Sequence, residues 1–321
     1  MGYFRGKKMS VDGILNIDKP WGKTSFSVVA LVKRLSGERR VGHAGTLDPM
    51  ATGVLPVCLG QGTRIIEFLL AATKTYRGQI ELGVTTDTYD ASGKITEKRD
   101  PSGISREQLE SALAAFRGIT QQTPPMYSAV KHQGQRLYEL ARAGIKVTRK
   151  SRPTKIYSLE IVDWQPPVVT VDVECGKGTY IRSLAHDLGQ SLGCGANLKS
   201  LIRLSYGPFD IKTAVSVPQL EDALRYGYWQ YFVHPIDTVL LPWRAMVVND
   251  ATERAIRSGA PVALAADNSG LTEYLEEALP VSPIETRCRT YTLDGHFLGV
   301  LRFDPERGQW QPEKVFLSHN R

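Results

Sequence analysis

The stretch VGHAGTLDPMATGVLPVCLG, residues 41–60, places a loop directly before a buried strand. Residues 41–53 show no apolar periodicity and contain three glycines and one proline, which predicts a loop. Residues 54–59 form a short apolar run, which predicts a strand in the core. The loop can therefore hold Asp48 at the end of a core strand. Its carboxylate there is either exposed for chemistry or caps a turn before Pro49.

Patterns on both sides of this stretch predict an α+β fold. Alternating apolar residues predict strands at 14–18, 74–84, 156–162 and 168–175. Capping and apolar spacing predict helices that begin at Thr24 or Ser25 and end at Gly37, that begin at the Ser105 capping box, and that span 63–70, 135–143 and 178–193. Strands and helices mix without a regular βαβ rhythm, which favours a mixed, largely antiparallel sheet flanked by helices.

The texture of the chain changes near residue 242. A short helix at 250–258 is followed by an acidic stretch and then by strands at 287–293, 296–303 and near Val315. The dipeptide Asp294-Gly295 is a strong signal for a hairpin. We predict a basic flexible extension at 1–10, a main domain at 11–245, and a small C-terminal β-barrel at 246–321.

Basic residues are unevenly distributed along the chain. The 321 residues carry 40 Lys and Arg against 33 Asp and Glu, a formal charge of +7. Residues 131–155 alone hold eight basic residues and one acid, whereas the chain from Met246 onward holds eight basic and eleven acidic residues. Clustered Lys and Arg indicate a polyanion binder, with nucleic acid the leading candidate. The alternative is a solvated basic helix and loop.

Several classes of protein lack their signals in this sequence. No apolar run approaches the roughly 20 residues of a membrane span, and the first ten residues have no secretory apolar region. The tripeptide at 22–24 ends like a phosphate-binding loop, but Ile17 stands where that motif needs glycine. No glycine pair continues into a dinucleotide fingerprint.

Metal and disulfide chemistry are likewise not predicted. The four cysteines are widely spaced, as expected of reduced thiols in the cytoplasm: Cys58, Cys175, Cys194 and Cys288. Asp87 and Asp90 could suggest a metal, but carboxylates in a Gly-bearing segment are more often turn residues.

Six ordered blocks resemble the bacterial tRNA pseudouridine-55 synthase family of stand-alone pseudouridine synthases. They span about residues 11–205 and read ILNIDKPWGKTS, VGHAGTLDPMATGVLPVCLG, KTYRGQIELGVTTDTYDASG, TPPMYSAVKHQGQRLYELAR, KGTYIRSLAHDLG and LGCGANLKSLIRL. The resemblance implies isomerisation of uridine 55 in the tRNA T-loop to pseudouridine, without cofactor or metal. It also implies that the small C-terminal domain is a PUA-like RNA-binding domain.

The resemblance also assigns catalytic roles by position. Asp48 matches the nucleophile, which attacks a flipped-out nucleotide at either C1′ or C6. Arg182 matches the arginine that pairs with this carboxylate, keeping it ionised and fixing its direction. Tyr76 matches the tyrosine that stacks on the target base and handles its proton. Without the resemblance, Tyr76 is a core strand residue and Arg182 a helix surface residue.

Further positions match contacts with the substrate. His43 matches the residue that fills the gap left by the flipped base, and Tyr180 and Leu201 match residues of the pocket. Lys19 and Pro20 match a structural element beside the site. The basic residues at 131–155 would bind tRNA phosphates, which position the RNA without specifying its sequence. We expect a cytoplasmic monomer that acts on the T-arm stem-loop and needs no protein partner.

Three other functions remain as alternatives. A different RNA-modifying enzyme, such as a methyltransferase, would need a nucleotide-binding loop that this sequence lacks. An RNA-folding protein would not need Asp48, Tyr76 and Arg182 together, although a tRNA-folding role is compatible with the enzyme. Guide-directed modification within a ribonucleoprotein fits less well, because the blocks resemble the stand-alone bacterial type.

Overall fold

The computed structural model describes residues 11–263 and 286–316. Over these ranges the strands are β1 (Gly13–Lys19), β2 (Val41–His43), β3 (Ala51–Leu59), β4 (Lys74–Leu82), β5 (Val84–Thr86), β6 (Ile95–Lys98), β7 (Gly118–Gln122), β8 (Lys131–His132), β9 (Gln135–Arg136), β10 (Arg152–Gln165), β11 (Val168–Cys175), β12 (Ala196–Tyr206), β13 (Phe209–Asp210), β14 (Val215–Ser216), β15 (Val233–His234), β16 (Ala245–Val248), β17 (Arg287–Thr292), β18 (Phe297–Asp304) and β19 (Gln309–Val315).

The helices lie between these strands. The α-helices are α1 (Ser25–Ser36), α2 (Ile66–Ala71), α3 (Arg106–Ala114), α4 (Leu137–Arg142), α5 (Ile181–Ser191), α6 (Val217–Tyr226) and α7 (Asp250–Arg257). Short 3-10 helices span Gly60–Ile65, Ile211–Thr213, Trp229–Phe232 and Ile236–Leu240. None of the helices in the described ranges has both the length and the apolar character of a membrane span.

Where the sequence has clear helix caps or clear apolar alternation, the predicted helix or strand forms. Thr24 caps α1 by accepting a hydrogen bond from the Ser27 backbone N–H, and Gly37 ends the helix with a left-handed φ of 70°. Ser105 and Gln108 form the reciprocal capping box of α3. In β11 alternate residues face the core, so that Val169, Val171 and Val173 are fully buried.

The main sheet is mixed and largely antiparallel, as predicted. Its strand order is β14-β1-β3-β12-β4-β11-β10-β7, with β2, β13 and β15 paired at its side. Along this order only the β14/β1 and β3/β12 pairs are parallel. β12 lies between β3 and β4, so that the loop before β3 and the strand carrying Tyr76 meet on either side of it.

Some predicted bounds were wrong. The loop predicted at 41–53 contains β2 and the beginning of β3, because residues 41–43 pair with residues 57–59 of the same buried strand. The helix predicted at 135–143 begins only at Leu137, since Gln135 and Arg136 pair with residues 131–132 in a small hairpin. The strand β12 and the helix α6 were not predicted.

The predicted small C-terminal β domain is confirmed, but its described residues form an open sheet and show no closed barrel. β16, β17, β18 and β19 form an open four-stranded sheet in that order, with β16 parallel to β17 and no pairing between β16 and β19. Helix α7 packs on the sheet through the buried Ile256 and covers the apolar face of the open sheet. The predicted turn at Asp294-Gly295 joins β17 to β18, with Gly295 at φ 83°.

The small sheet packs directly against the main domain. Val300 and Phe316 share an apolar cluster with Ile14 and Ile65, and Arg64 donates a 2.6 Å hydrogen bond to the Val315 carbonyl. The domain division at residue 245 remains a prediction. The predicted basic extension at 1–10 and the acidic stretch at 264–285 lie outside the described residues.

Candidate active site

The loop that carries Asp48 is held on both sides by the segment that leads from β1 into the first residue of α1. On one side, the Ser25 hydroxyl accepts a hydrogen bond from the Leu47 N–H at 2.9 Å. On the other side, the Gly22 N–H donates to the Pro49 carbonyl at 2.8 Å. The two contacts fix the residues immediately before and after Asp48. The carboxylate is therefore displayed from a loop whose backbone is fixed, as a reacting group requires.

The buried Lys19 also contacts this loop, because its ammonium lies 3.5 Å from the Pro49 carbonyl oxygen. Lys19 is fully buried, and its ammonium donates to the carbonyls of Lys23 and Pro20 at 2.6 and 3.0 Å. Burial lowers the pKa of Lys19 to about 8, although the nearby Asp48 charge works in the opposite direction. Gly53, near the beginning of β3, has a φ of 97°, and a Cβ there would lie 2.3 Å from the Arg203 carbonyl oxygen. Glycine is needed there for both reasons.

Arg182 pairs with Asp48 through two atoms. Its Nε lies 2.9 Å from Asp48 Oδ2, and its Nη2 donates to Asp48 Oδ1 at 3.1 Å. The guanidinium also donates to the carbonyls of Tyr127 and Thr88, at 2.8 and 3.2 Å, and lies 3.6 Å from Asp90 Oδ2. The arginine side chain is 4% exposed and the Asp48 side chain 34% exposed. The buried fork thus fixes the direction of a carboxylate that faces the cleft.

The ionisation of Asp48 is set by opposing effects. Burial raises its pKa most, and the charge of Asp90 raises it further, whereas Arg182 and Lys19 lower it. The net direction is upward from the ordinary value of 3.8. The sequence predicted the contribution of Arg182 but not the larger contribution of burial. A carboxylate with a raised pKa is a stronger base, which suits a nucleophile or proton acceptor.

Tyr76 lies on β4 and is 8% exposed. Burial raises the pKa of its hydroxyl, while the cation of Arg203 lowers it. The Arg203 guanidinium carbon lies 6.0 Å from the Tyr76 ring centroid and 4.8 Å from the Tyr206 ring centroid. The Tyr76 ring therefore stands in the wall of the cleft in its neutral form.

The remaining predicted residues line the same cleft. His43 lies at the end of β2, where burial lowers the pKa of its imidazole, and its Nδ1 has no hydrogen-bond partner within the described ranges. Leu201 on β12 is 6% exposed and pairs with Ala51 of β3. Tyr180 precedes α5, and its backbone exchanges two hydrogen bonds with the Gln122 side chain, at 2.7 and 2.9 Å.

All six predicted site residues border one cleft of about 1710 Å³. Nine Lys and Arg side chains and three Asp side chains line it. The exposed cations Lys131, Arg142 and Arg152 from the basic stretch are among them. An open, cationic cleft of this size suits part of a nucleic acid better than a small metabolite.

Arg203 is a part of the site that the sequence analysis missed. It is 1% exposed, and it donates to the carbonyls of Val54 and Gly45 at 2.6 and 3.0 Å. It therefore ties β12 to the Asp48 loop and at the same time packs on Tyr76. The sequence did contain one signal for this residue. Arg203 lies two residues after Leu201, and alternate residues of a strand face the same side.

The Asp87 and Asp90 segment is a turn, as interpreted from the sequence. Asp87 Oδ1 accepts from the Lys94 N–H at 2.8 Å, and Asp90 Oδ1 accepts from the Ser92 N–H at 3.0 Å. Among the described residues no group of three His, Cys, Asp or Glu side chains could hold a metal ion. Asp90 also lies beside Arg182, a role that the sequence analysis did not assign.

Family models and curated relatives both match most of this chain. Residues 33–181 match the TruB family pseudouridylate synthase (N terminal domain), and residues 182–248 match the tRNA pseudouridylate synthase B C-terminal domain. The tRNA pseudouridine synthase B of Dehalococcoides mccartyi is 45% identical over 311 residues, which cover 97% of this chain and 98% of the relative. The protein of the same name from Syntrophotalea carbinolica is 50% identical over 66% of this chain and 69% of its own length.

A solved structure shares the fold over most of the chain. It is a crystal structure of a Cbf5-Nop10-Gar1 complex, in which the matched chain is 26% identical with a TM-score of 0.71. The match covers 96% of this chain and 86% of that chain. The resemblance thus includes the small C-terminal sheet as well as the cleft-bearing domain.

Proposed function

This chain belongs to the TruB family and is a tRNA pseudouridine synthase, an isomerase of uridine 55 in the T-loop, and on that premise we propose that Asp48 is its nucleophile. The observation that carries the proposal is the two-atom contact of Asp48 with the buried Arg182. The reaction breaks the bond between uracil N1 and the ribose C1′ and joins C1′ to uracil C5; C5 loses a proton and N1 gains one, so the product is an isomer of uridine. Asp48 would hold the detached fragment covalently, at C1′ or at C6, while the base turns.

Tyr76 is proposed to stack on the target base. Its ring borders the same cleft as Asp48, and Leu201 borders that cleft from the strand beside it. A neutral phenol also has the hydroxyl needed to accept or donate a proton at the turning base. Tyr180 would form a further part of the pocket wall.

His43 is proposed to occupy the place that the flipped uridine leaves in the T-loop. A base that reacts outside its stack leaves a gap, and a planar side chain can fill it. The lowered pKa of His43 favours the neutral ring. A neutral ring stacks on bases without carrying a charge into the loop.

The basic residues of 131–155 are proposed to bind the phosphates of the T-arm. Seven of the eight are exposed, and Arg149 is half-buried because it donates to the Pro124 carbonyl at 2.9 Å. We further propose that the enzyme acts in the cytoplasm without metal, cofactor or protein partner. The small C-terminal sheet is proposed to contact tRNA by shape and stacking, since the chain from Met246 onward holds more acids than bases.

Guide-directed modification is the alternative that the fold comparison makes worth testing, because the Cbf5 chain was solved with Nop10 and Gar1. The purified chain should modify an unmodified tRNA transcript by itself. Pseudouridine should map to position 55, and a transcript with cytidine at that position should gain none. Dependence on an added protein or RNA, or modification at another site, would contradict the proposal.

A further inference from the structure

Two large aromatic side chains stand exposed at the mouth of the cleft. Trp21 is 74% exposed and Phe26 is 76% exposed, and both border the cleft that contains Asp48. Within the described ranges neither ring stacks on another aromatic ring or on a cation. Two exposed rings that border the same functional cleft are candidates for contact with its ligand.

The backbone places these rings close to the reacting carboxylate. Trp21 precedes Gly22, whose N–H is bonded to the residue after Asp48. Phe26 follows Ser25, whose hydroxyl is bonded to the residue before Asp48. The two contacts that fix the Asp48 loop therefore also fix the positions of Trp21 and Phe26.

The surroundings favour a nucleobase as the occupant. The cleft is lined by nine cations and three carboxylates, which attract a polyanion. Cationic grooves with exposed aromatic rings are how proteins bind single-stranded nucleic acid, because phosphates follow the charges and bases stack on the rings. An apolar protein segment would leave the surrounding cations unpaired.

We propose that Trp21 and Phe26 form a stacking surface for an unpaired T-loop nucleobase other than the target uridine. Because both rings are fixed beside the Asp48 loop, the base must come from the same loop as the target. This role depends on the T-loop being the substrate. The two rings bind and position the substrate and do not touch the reacting atoms.

The test compares steady-state constants for the full-length chain on unmodified tRNA and on a T-arm stem-loop. Trp21→Ala should raise KM about tenfold on both substrates and leave kcat within about twofold, since stacking contributes to binding alone. Phe26→Ala should act in the same direction. Trp21→Phe should retain most of the affinity, whereas Trp21→Leu should not. Tyr231→Ala is the matched control, because Tyr231 is 90% exposed and lies away from the cleft.

Binding also has an optical readout. The stem-loop should quench the tryptophan fluorescence of the wild type more than that of Trp21→Phe. Equal quenching would overturn the proposal, as would an unchanged KM for Trp21→Ala, a KM effect confined to whole tRNA, or a wild-type KM for Trp21→Leu. If the wild-type chain acts on tRNA but not on the stem-loop, the proposal that the T-arm stem-loop suffices as substrate is wrong instead.

Discussion

The Asp48 loop at 44–50 and the basic stretch at 131–155 border the same cleft but are built in opposite ways. The loop is bonded through its backbone to Ser25, Gly22 and Arg203, and buried side chains surround it. The basic stretch contains a two-stranded hairpin of two-residue strands, a six-residue helix and mostly exposed cations. A reacting group must be held within fractions of an ångström, whereas phosphate contacts tolerate movement. Changes in the loop should therefore alter kcat, and changes in the stretch should alter KM.

Arg182→Lys tests most directly whether the Asp48 carboxylate must be held in one orientation. Lysine keeps the charge but loses the planar fork that contacts both Asp48 oxygens, so kcat should fall roughly 100-fold with a small change in KM. Single-turnover rates with saturating enzyme measure this directly. Arg77→Lys is the matched control, because Arg77 makes the same two-atom contact with Asp172 outside the cleft. Equal rates for both variants would mean that Arg182 does not orient the carboxylate.

The role of the basic stretch is tested by removing charge. Lys131, Arg142 and Arg152 are exposed and border the cleft, so changing all three to Gln should raise KM about tenfold at moderate salt. The slope of log Kd against log salt should flatten by about two to three, because fewer counterions are released. The same triple change at Lys98, Lys212 and Arg225, which are exposed elsewhere, is the control. A fall in kcat with unchanged KM and slope would refute the assignment.

A smaller effect is expected on the pH dependence of the chemical step. If Asp48 is the proposed nucleophile, its carboxylate is the active form, so the rate is present above its pKa and is lost as pH falls through it. Because burial raises that pKa, the loss should begin at higher pH than for an ordinary aspartate. Asp90→Asn removes a charge that raises the pKa, so the acid limb should move to lower pH.

Asp87→Asn serves as the control for the pH experiment. Asp87 borders the cleft but is not among the groups that shift Asp48, so its acid limb should match the wild type. An acid limb that stays in place in Asp90→Asn, measured in single turnover, would mean that Asp48 does not control it.

The sequence correctly predicted features that depend only on neighbouring residues. The cap at Thr24, the alternation in β11 and the turn at Asp294-Gly295 each depend on a few neighbouring residues, and each formed as predicted. The open C-terminal sheet and the position of β12 depend on which strands pair across long separations. A single sequence does not encode such pairing in a periodicity, so the described residues show an open sheet where a barrel was predicted, and β12 was not predicted.

The candidate site was likewise predicted only in part from the sequence. The family resemblance located His43, Asp48, Tyr76, Tyr180, Arg182 and Leu201, and the fold brings all of them to one cleft. It did not show that burial dominates the pKa of Asp48 or that Arg203 joins the Asp48 loop to Tyr76. Those effects arise only when distant segments pack together. The catalytic and binding roles of the six residues remain proposals.

The most direct test of the account is the single-turnover rate of Asp48→Asn on unmodified tRNA, measured beside its Kd. The substitution keeps the size of the side chain and removes only the nucleophilic carboxylate. We predict no pseudouridine at position 55 above background, together with a Kd within a few-fold of the wild type. Substantial turnover by a clean preparation of this variant would show that Asp48 is not the nucleophile.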